Sequence, residues 1–335
     1  MFIAIVSSMT IAGCTQQKIK YHLSPFQDDG SKLYGLVNDE GRIVVPATYA
    51  LTTPSQDGLA LAITKENYRV YIDGTGKVVS RRTYYNGGRF YNNRADVFDS
   101  EWGNCIIDKD EKLICKLGEG HVYGFKNGLC MIECGDKIKI INQEGKVVFP
   151  LQTIDMEKIS IIGGGFFVVY NDNGSSIVYD KTGEKLFESP HVITEYFDGV
   201  FCTGNPMRTG NGIIDITGNP ITSMDYNIII PIGGGLANAN RNGEWCFIDN
   251  KGEVIQKHNY GWDVNEFSNG RAAVKLDGKY GFINNEGTLV IPCKYDDIEI
   301  PGWNGVLGFN GTFAKVMDNG HSYYIDKEGS IAIFE

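Results

Sequence analysis

Tyr34-Gly35-Leu36-Val37-Asn38-Asp39-Glu40-Gly41 and Tyr280-Gly281-Phe282-Ile283-Asn284-Asn285-Glu286-Gly287 are two copies of one phrase. Each is a short β-prone run, then Asn, two spacers and Gly. Another copy, Trp245-Cys246-Phe247-Ile248-Asp249-Asn250-Lys251-Gly252, continues into a second apolar run, Glu253-Val254-Ile255. Two apolar runs flanking such a tetrapeptide are a β-hairpin signal. The Asp or Asn side chain accepts hydrogen bonds from backbone N–H groups at the start of the turn. The Gly takes the left-handed position required by a type I turn followed by a bulge. A side chain there costs roughly 1 kcal/mol.

The turn residue recurs at Gly41, Gly76, Glu111, Gly145, Gly183, Gly218, Gly252, Gly287 and Gly329, at intervals of 35, 35, 34, 38, 35, 34, 35 and 42 residues. A second landmark precedes most hairpins, a Gly opening a short apolar strand, as in Gly58-Leu59-Ala60 and Gly270-Arg271-Ala272-Ala273-Val274. A third follows some of them, Val44-Val45-Pro46 and Val290-Ile291-Pro292, where Pro is expected to end the strand. Each unit therefore reads as an antiparallel meander of three strands with a short fourth segment leading to the next. A unit of about 35 residues cannot bury its own face, so neighbours must stack. The fold class is all-β: about nine tandem meanders in a propeller-like ring, with an open β-spiral or solenoid as the alternative. The last repeat stops at Ile331-Ala332-Ile333, and Lys20-Tyr21-His22-Leu23 lies ahead of the first hairpin. A strand from the N-terminal side is expected to complete the final blade and protect its edge.

These residues resemble the bacterial WG-repeat family, whose unit runs Gly-x-Ala-x-Val, Trp/Tyr-Gly-Tyr/Phe-Ile-Asp, Gly-Lys, Val-Ile-Pro, Tyr-Asp. The eighth copy matches from Gly270 to Asp296 and the first from Tyr34 to Tyr49, while copies two to six depart from the pattern. Trp102-Gly103, for example, precedes the third hairpin out of register. The resemblance covers residues 30 to 335. It implies a binding or scaffolding module and no particular activity.

Composition agrees with short strands and tight turns: 42% apolar, 12% aromatic, 42 Gly and only 10 Pro. No segment shows a sustained 3.6-residue period with caps, so almost no helix is expected beyond the N-terminus. A net charge of −10 with scattered Lys and Arg argues against nucleic acid as a partner. The eight cysteines form no Cys-x-x-Cys, and the five histidines fall in different repeats, so neither a metal site nor a cofactor is expected. Cys105 and Cys246 share one strand column and read as small buried residues. Cys130 and Cys134 are a candidate disulfide pair.

Met1 to Gly13 is uncharged and mostly apolar, and Ile11-Ala12-Gly13-Cys14 resembles the lipobox of a bacterial lipoprotein signal. No Lys or Arg precedes the apolar stretch, a departure from the usual pattern. The implied organisation is a signal peptide over 1–13, a tether and first strand over 14–30, and the repeat domain over 31–335. Lipidation at Cys14 would anchor the chain to the bacterial envelope, on the outer membrane or periplasmic face. If the signal is not used, the chain stays in the cytoplasm.

Gly163-Gly164-Gly165 and Gly233-Gly234-Gly235 invite comparison with phosphate loops, but no helix follows and both fall at inter-repeat turns. Asn171-Asp172-Asn173-Gly174 lacks the downstream Glu of a calcium loop and reads as a hairpin turn. Asp73, Asp108, Asp180, Asp215, Asp249 and Asp326 recur in turn grammar, which makes them structural. No Gly-x-Ser-x-Gly elbow or marked nucleophile occurs, so the chain is not expected to be an enzyme. The functional lead is aromatic. Tyr84, Tyr85, Arg89, Tyr91, Trp262 and Trp303 form the candidate binding surface, accompanied by Phe90, Arg81, Arg82 and Arg94. The competing reading packs these rings between blades. The expected function is a non-catalytic envelope scaffold that binds an envelope or extracellular protein through its repeat loops. A glycan-binding surface lipoprotein is the alternative, and a hydrolase with a central pocket is a third reading that would need convergent titratable groups.

Overall fold

The structure, a computed structural model, describes residues 22–204, 210–299 and 307–334. Every strand pairing is antiparallel, and the strands form nine small sheets that follow one another along the chain. Numbered as blades, they span residues 24–49, 51–79, 86–116, 121–153, 159–189, 193–220, 228–258, 264–295 and 297–332. Two three-residue 3-10 turns, Met156–Lys158 and Gly163–Gly165, are the helical content among the described residues.

The hairpin grammar is obeyed nine times. The turn residue donates its backbone N–H to the carbonyl of the Asp or Asn three positions earlier, from Gly41 to Asn38 through Gly329 to Asp326. In each, the Asx side chain accepts two further backbone N–H groups. Asn38 Oδ1 takes those of Glu40 and Arg42 at 3.0 and 2.9 Å, and Asp326 Oδ1 takes those of Glu328 and Ser330 at 3.0 and 2.8 Å. The repeated acids are thus consumed by turns. At Asp215 the Thr217 hydroxyl and the Asn219 N–H hold the carboxyl below its usual range. Glu111 takes the left-handed position with φ of 59°.

Blade 4 gives the full pattern, with strands His121–Lys126, Leu129–Cys134, Lys137–Asn142 and Val147–Thr153 in that spatial order. Because all four alternate in direction, the first and third turns of every blade share one face of the molecule. The second turns and the links between blades share the other. The first turns favour Asp-Gly and Asn-Gly pairs, both at positive φ, as at Asp57-Gly58 and Asn127-Gly128.

Nine apolar clusters fill the gaps between neighbouring blades. Leu36 and Val45 of blade 1 meet Ala60 and Ile72 of blade 2. Ile106 of blade 3 and Leu117 just after it meet Cys130 and Ile132 of blade 4, and the series continues to Phe282 and Tyr295 of blade 8 against Ile298 and Val316 of blade 9. The ninth cluster joins Phe313 and Tyr324 of blade 9 to Phe26 and Val37 of blade 1. The ring is closed. Each sheet is covered on both sides, which is why middle strands such as Leu59–Ile63 and Leu129–Cys134 carry apolar runs without alternation. Polar contacts reinforce the seam: the Thr312 N–H donates to Ser24 Oγ at 3.0 Å and the Gln27 N–H to Tyr324 Oη at 2.8 Å.

Three expectations are corrected. Among the described residues no N-terminal strand completes the last blade, which draws its outer strand, Ile331–Ala332, from its own repeat. The strand Ser24–Gln27 pairs with Tyr34–Val37 inside blade 1, so closure runs through side chains and packing. Pro46 and Pro292 do not end their strands. Ile43–Tyr49 and Leu289–Tyr295 run through them, on the outer edge and beside a register shift where a missing N–H costs no ladder bond. Finally, Cys130 and Cys134 lie four residues apart on one extended strand, about 13 Å, which is beyond disulfide reach. Both are free thiols, and Cys105, Cys130, Cys202 and Cys246 are buried.

Candidate functional site

The first strands of the blades face the ring axis and the last face outward. A cavity of about 570 Å³ is lined by Lys126, Tyr196 and Ile229, which belong to first strands or their ends in blades 4, 6 and 7, blade 4 being a neighbour of neither of the others. Only the axis brings such residues together. Outer strands, in contrast, expose aliphatics such as Val254 at 55% and Ile331 at 66%.

The predicted aromatic surface divides. Tyr84 is wholly buried, as is Phe90, and both pack with Tyr71 between blades 2 and 3. Tyr84 is thus removed from the binding surface, because its ring is the plug that seals this interface. Tyr85, next along the chain, points the opposite way, as alternation on an extended strand requires, and is 50% exposed. Its ring meets the edge of Tyr68 at 5.5 Å and lies 6.4 Å from Phe98. Tyr123 is 46% exposed in the next blade, where it stands against His121 at 4.5 Å. Tyr68, Tyr85, Phe98, His121 and Tyr123 all stand where second turns or inter-blade links emerge, so they share one face over blades 2 to 4. Sequence reasoning missed Tyr68, Phe98 and Tyr123. The parity of Ala95, Val97 and Asp99, all buried, was the available signal that Phe98 faces out.

Trp262 lies on the same face at the link between blades 7 and 8. It is 62% exposed, with its ring 5.1 Å from Trp245. Beneath it, His258 stacks on Phe247 at 4.2 Å. The His258 Nδ1 accepts the Tyr260 N–H, so Nε2 carries the proton and donates to Asn238 Oδ1 at 3.1 Å. Burial pushes this imidazole down to about 4. Tyr91 is half-buried and lines two cavities, one of them among the turns of blades 3 to 5. Cys14 and Trp303 lie outside the described residues.

The arginines separate too. Arg82 covers the Trp102 ring at 3.7 Å and pairs with Asp99 and Glu101 at 3.3 and 3.1 Å. The Arg81 N–H donates to Glu111 Oε2 at 2.7 Å, and Arg94 Nη1 donates to the Asn93 carbonyl at 3.0 Å. Arg89 lines two axial cavities, of about 340 and 350 Å³. Among the described residues no cluster of three or more metal-ligating side chains occurs, and no helix is long and apolar enough to cross a membrane.

The family model described as WG containing repeat matches residues 34–68, 247–280 and 280–302. The chain carries WG repeats in these segments. No curated protein matches it. Among solved structures, the WG-repeat chain is similar to a eukaryotic initiation factor at 11% identity and a TM-score of 0.55, over 94% of this chain and 96% of that one. It is also similar to the computationally designed Ika8 protein at 12% identity and 0.47, over 86% and 96%. For the C-terminal WD40 domain of Sif2 the values are 12% and 0.43, over 82% and 94%. The first of these likenesses supports the fold, and the fold alone.

A WG repeat is not a blade. The matched segment 34–68 starts on Tyr34–Val37, the middle strand of blade 1, and ends at the second turn of blade 2. Each repeat therefore supplies the outer half of one blade and the inner half of the next, and interlocks the two. The glycine of the motif also has a physical cause. A Cβ on Gly35 would lie 2.4 Å from the Val45 carbonyl, and one on Gly281 2.5 Å from that of Ile291, because the outer strand bulges inward beside its Pro. Blade 7 has no Pro in its outer strand, Val254–His258, and there Cys246 fits the same column. Blade 4 combines Pro150 with Lys139, so the Pro alone does not impose the glycine.

Proposed function

We propose that this WG-repeat propeller is a non-catalytic scaffold that holds another protein against the face carrying Tyr68, Tyr85, Phe98 and Tyr123. The observation that supports the reading is the run of edge-on contacts from Tyr68 through Tyr85 to Phe98. These are rings with large contact area left half in water on a rigid ring, the side-chain type that anchors protein interfaces. Tyr85→Ser combined with Phe98→Ser removes the anchors without touching the inter-blade cluster. A protein captured from envelope extracts by the native chain should be lost by this variant while its melting temperature stays unchanged. Equal capture by both would refute the assignment of the face.

The site of action in this proposal is the bacterial envelope, with a lipid anchor on Cys14. Labelled fatty acid should enter the native chain and not a Cys14→Ser variant, and the variant should leave the membrane fraction. The exposed Trp262 against Trp245 favours glycan as a second ligand class. Binding on a glycan array that disappears in Trp262→Ala would establish it.

A further inference from the structure

The axial cavity of about 350 Å³ between blades 2, 3 and 4 combines two features that packing alone does not explain. Its walls include Leu51, Leu61 and Ile63 from blade 2 and Phe125 from blade 4, and its polar lining includes Arg89 and Asp96 of blade 3. Among the described residues, the Arg89 guanidinium makes no hydrogen bond and no ion pair. The residue is exposed toward the axial opening, and the partial burial of its guanidinium lowers its pKa. Asp96 has no cationic partner either. Its carboxylate is slotted between two inner-strand glycines: a Cβ on Gly88 would come within 2.8 Å of Oδ1, and one on Gly124 within 3.6 Å. Burial raises this acid, against the pull of backbone N–H groups of Asp96 itself and Phe125.

An unpaired cation and an unpaired anion thus line one small chamber of mixed polar and apolar walls without pairing with each other. Arg69, the other guanidinium in the lining, is committed through Nη1 to the Asn67 carbonyl and side chain and the Tyr85 carbonyl. The cavity volume lies at the low end for ligand pockets, which suits a small molecule and excludes a polymer. A guanidinium fork matches a carboxylate in two parallel hydrogen bonds. A phosphate dianion would find only one uncommitted cation, with the Asp96 carboxylate facing it.

We propose that this cavity binds a small apolar α-amino acid, with its carboxylate on Arg89, its ammonium on Asp96 and its side chain against Leu51, Leu61 and Ile63. The site lies inside the ring and shares Tyr123 of its lining with the aromatic face. Such a ligand supplies both missing counter-charges at once, and places its alkyl group where the wall is aliphatic.

Isothermal calorimetry on the folded chain tests this, with L-leucine, L-valine and L-methionine as probes and 4-methylpentanoate and leucinamide as analogues lacking one charge each. At least one amino acid should bind saturably, and both analogues should bind at least tenfold more weakly than leucine. Arg89→Gln should weaken leucine and 4-methylpentanoate alike by tenfold or more. Asp96→Asn should bring leucine down to the affinity of 4-methylpentanoate. The absence of saturable heat with all three amino acids in the native chain overturns the proposal. So does equal binding of leucine and 4-methylpentanoate, which would reduce the site to a carboxylate pocket with no role for Asp96. The analogue series needs no variant, so it decides the question even if one fails to fold.

Discussion

Glu111→Gly restores the residue that the other eight turns carry, and the structure nevertheless predicts that it destabilises the protein. Glu111 holds φ of 59°, and relieving that left-handed strain recovers about 1 kcal/mol. Against this, its carboxylate accepts the Tyr84 hydroxyl at 2.8 Å and the Arg81 N–H at 2.7 Å. Hydrogen bonds to charged groups contribute about 1.5–3 kcal/mol each, and the solvent-exposed Arg81 bond belongs at or below the bottom of that range. Tyr84 is pinned by a fully buried ring, so its hydroxyl cannot turn elsewhere. Burial and the bond to Glu111 both push its phenol far above the usual range, so it remains a donor at every accessible pH. A loss of about 3 kcal/mol less a gain of about 1 leaves roughly 2 kcal/mol of net destabilisation. With an unfolding entropy of about 2.1 cal/mol/K per residue, that lowers the melting temperature of a 335-residue chain by ~3 °C. Differential scanning calorimetry reads the shift. Tyr84→Phe should cost stability in the native background and almost none in the Glu111→Gly background, since the bond it removes is then already gone. A higher melting temperature for Glu111→Gly would refute the reasoning and show that backbone strain outweighs the staple.

Two further perturbations separate effects that a sequence pattern merges. Gly174 and Gly183 have nearly equal φ of 84° and 88°, but a Cβ on Gly174 meets nothing within 4 Å while one on Gly183 would lie 2.1 Å from the Val148 carbonyl of the preceding blade. Gly174→Ala should therefore cost about 1 kcal/mol and Gly183→Ala about 1–3 kcal/mol more in denaturant titrations, whereas equal costs would mean that blades 4 and 5 are not in contact there. His258 has a folded pKa depressed to about 4 from 6.5, so the unfolded chain binds its proton first as pH falls. Its contribution to stability is complete above pH 6.5 and is lost between there and about pH 4. The difference in stability between the native chain and His258→Phe should shrink as pH is lowered through that window, and a difference independent of pH would contradict the buried neutral ring.

The turn grammar was legible because it is local. An Asx, two spacers and a left-handed residue carry their own hydrogen bonds, so nine turns could be read without any tertiary contact. Ring closure was only partly legible. The need to bury two faces per sheet follows from the repeat, but the seam rests on particular rings, Phe26 with Phe313 and Tyr324, that carry no periodic mark. The aromatic surface was half legible: adjacent Tyr84 and Tyr85 look alike in sequence, and only the alternation of an extended strand sends one into the interface and the other into water. The axial chamber was not legible at all. Arg89, Asp96 and Leu51 line one cavity because blades radiate from an axis, and radial proximity has no signature in sequence spacing.

Closure of nine repeats into one ring is the claim on which the faces, the axis and the cavity depend. Lys315 of blade 9 lies 2.8 Å from Glu299 in its own blade and 3.2 Å from Asp29 of blade 1. Burial works against its charge, and the two carboxylates overcome that. Zero-length carbodiimide coupling, followed by mass spectrometry of the monomer band, should recover amide links from Lys315 to both Glu299 and Asp29. Recovery of the Lys315–Glu299 link alone, in a chain that is otherwise folded, would mean that the first and last blades do not meet and that the repeats form an open spiral.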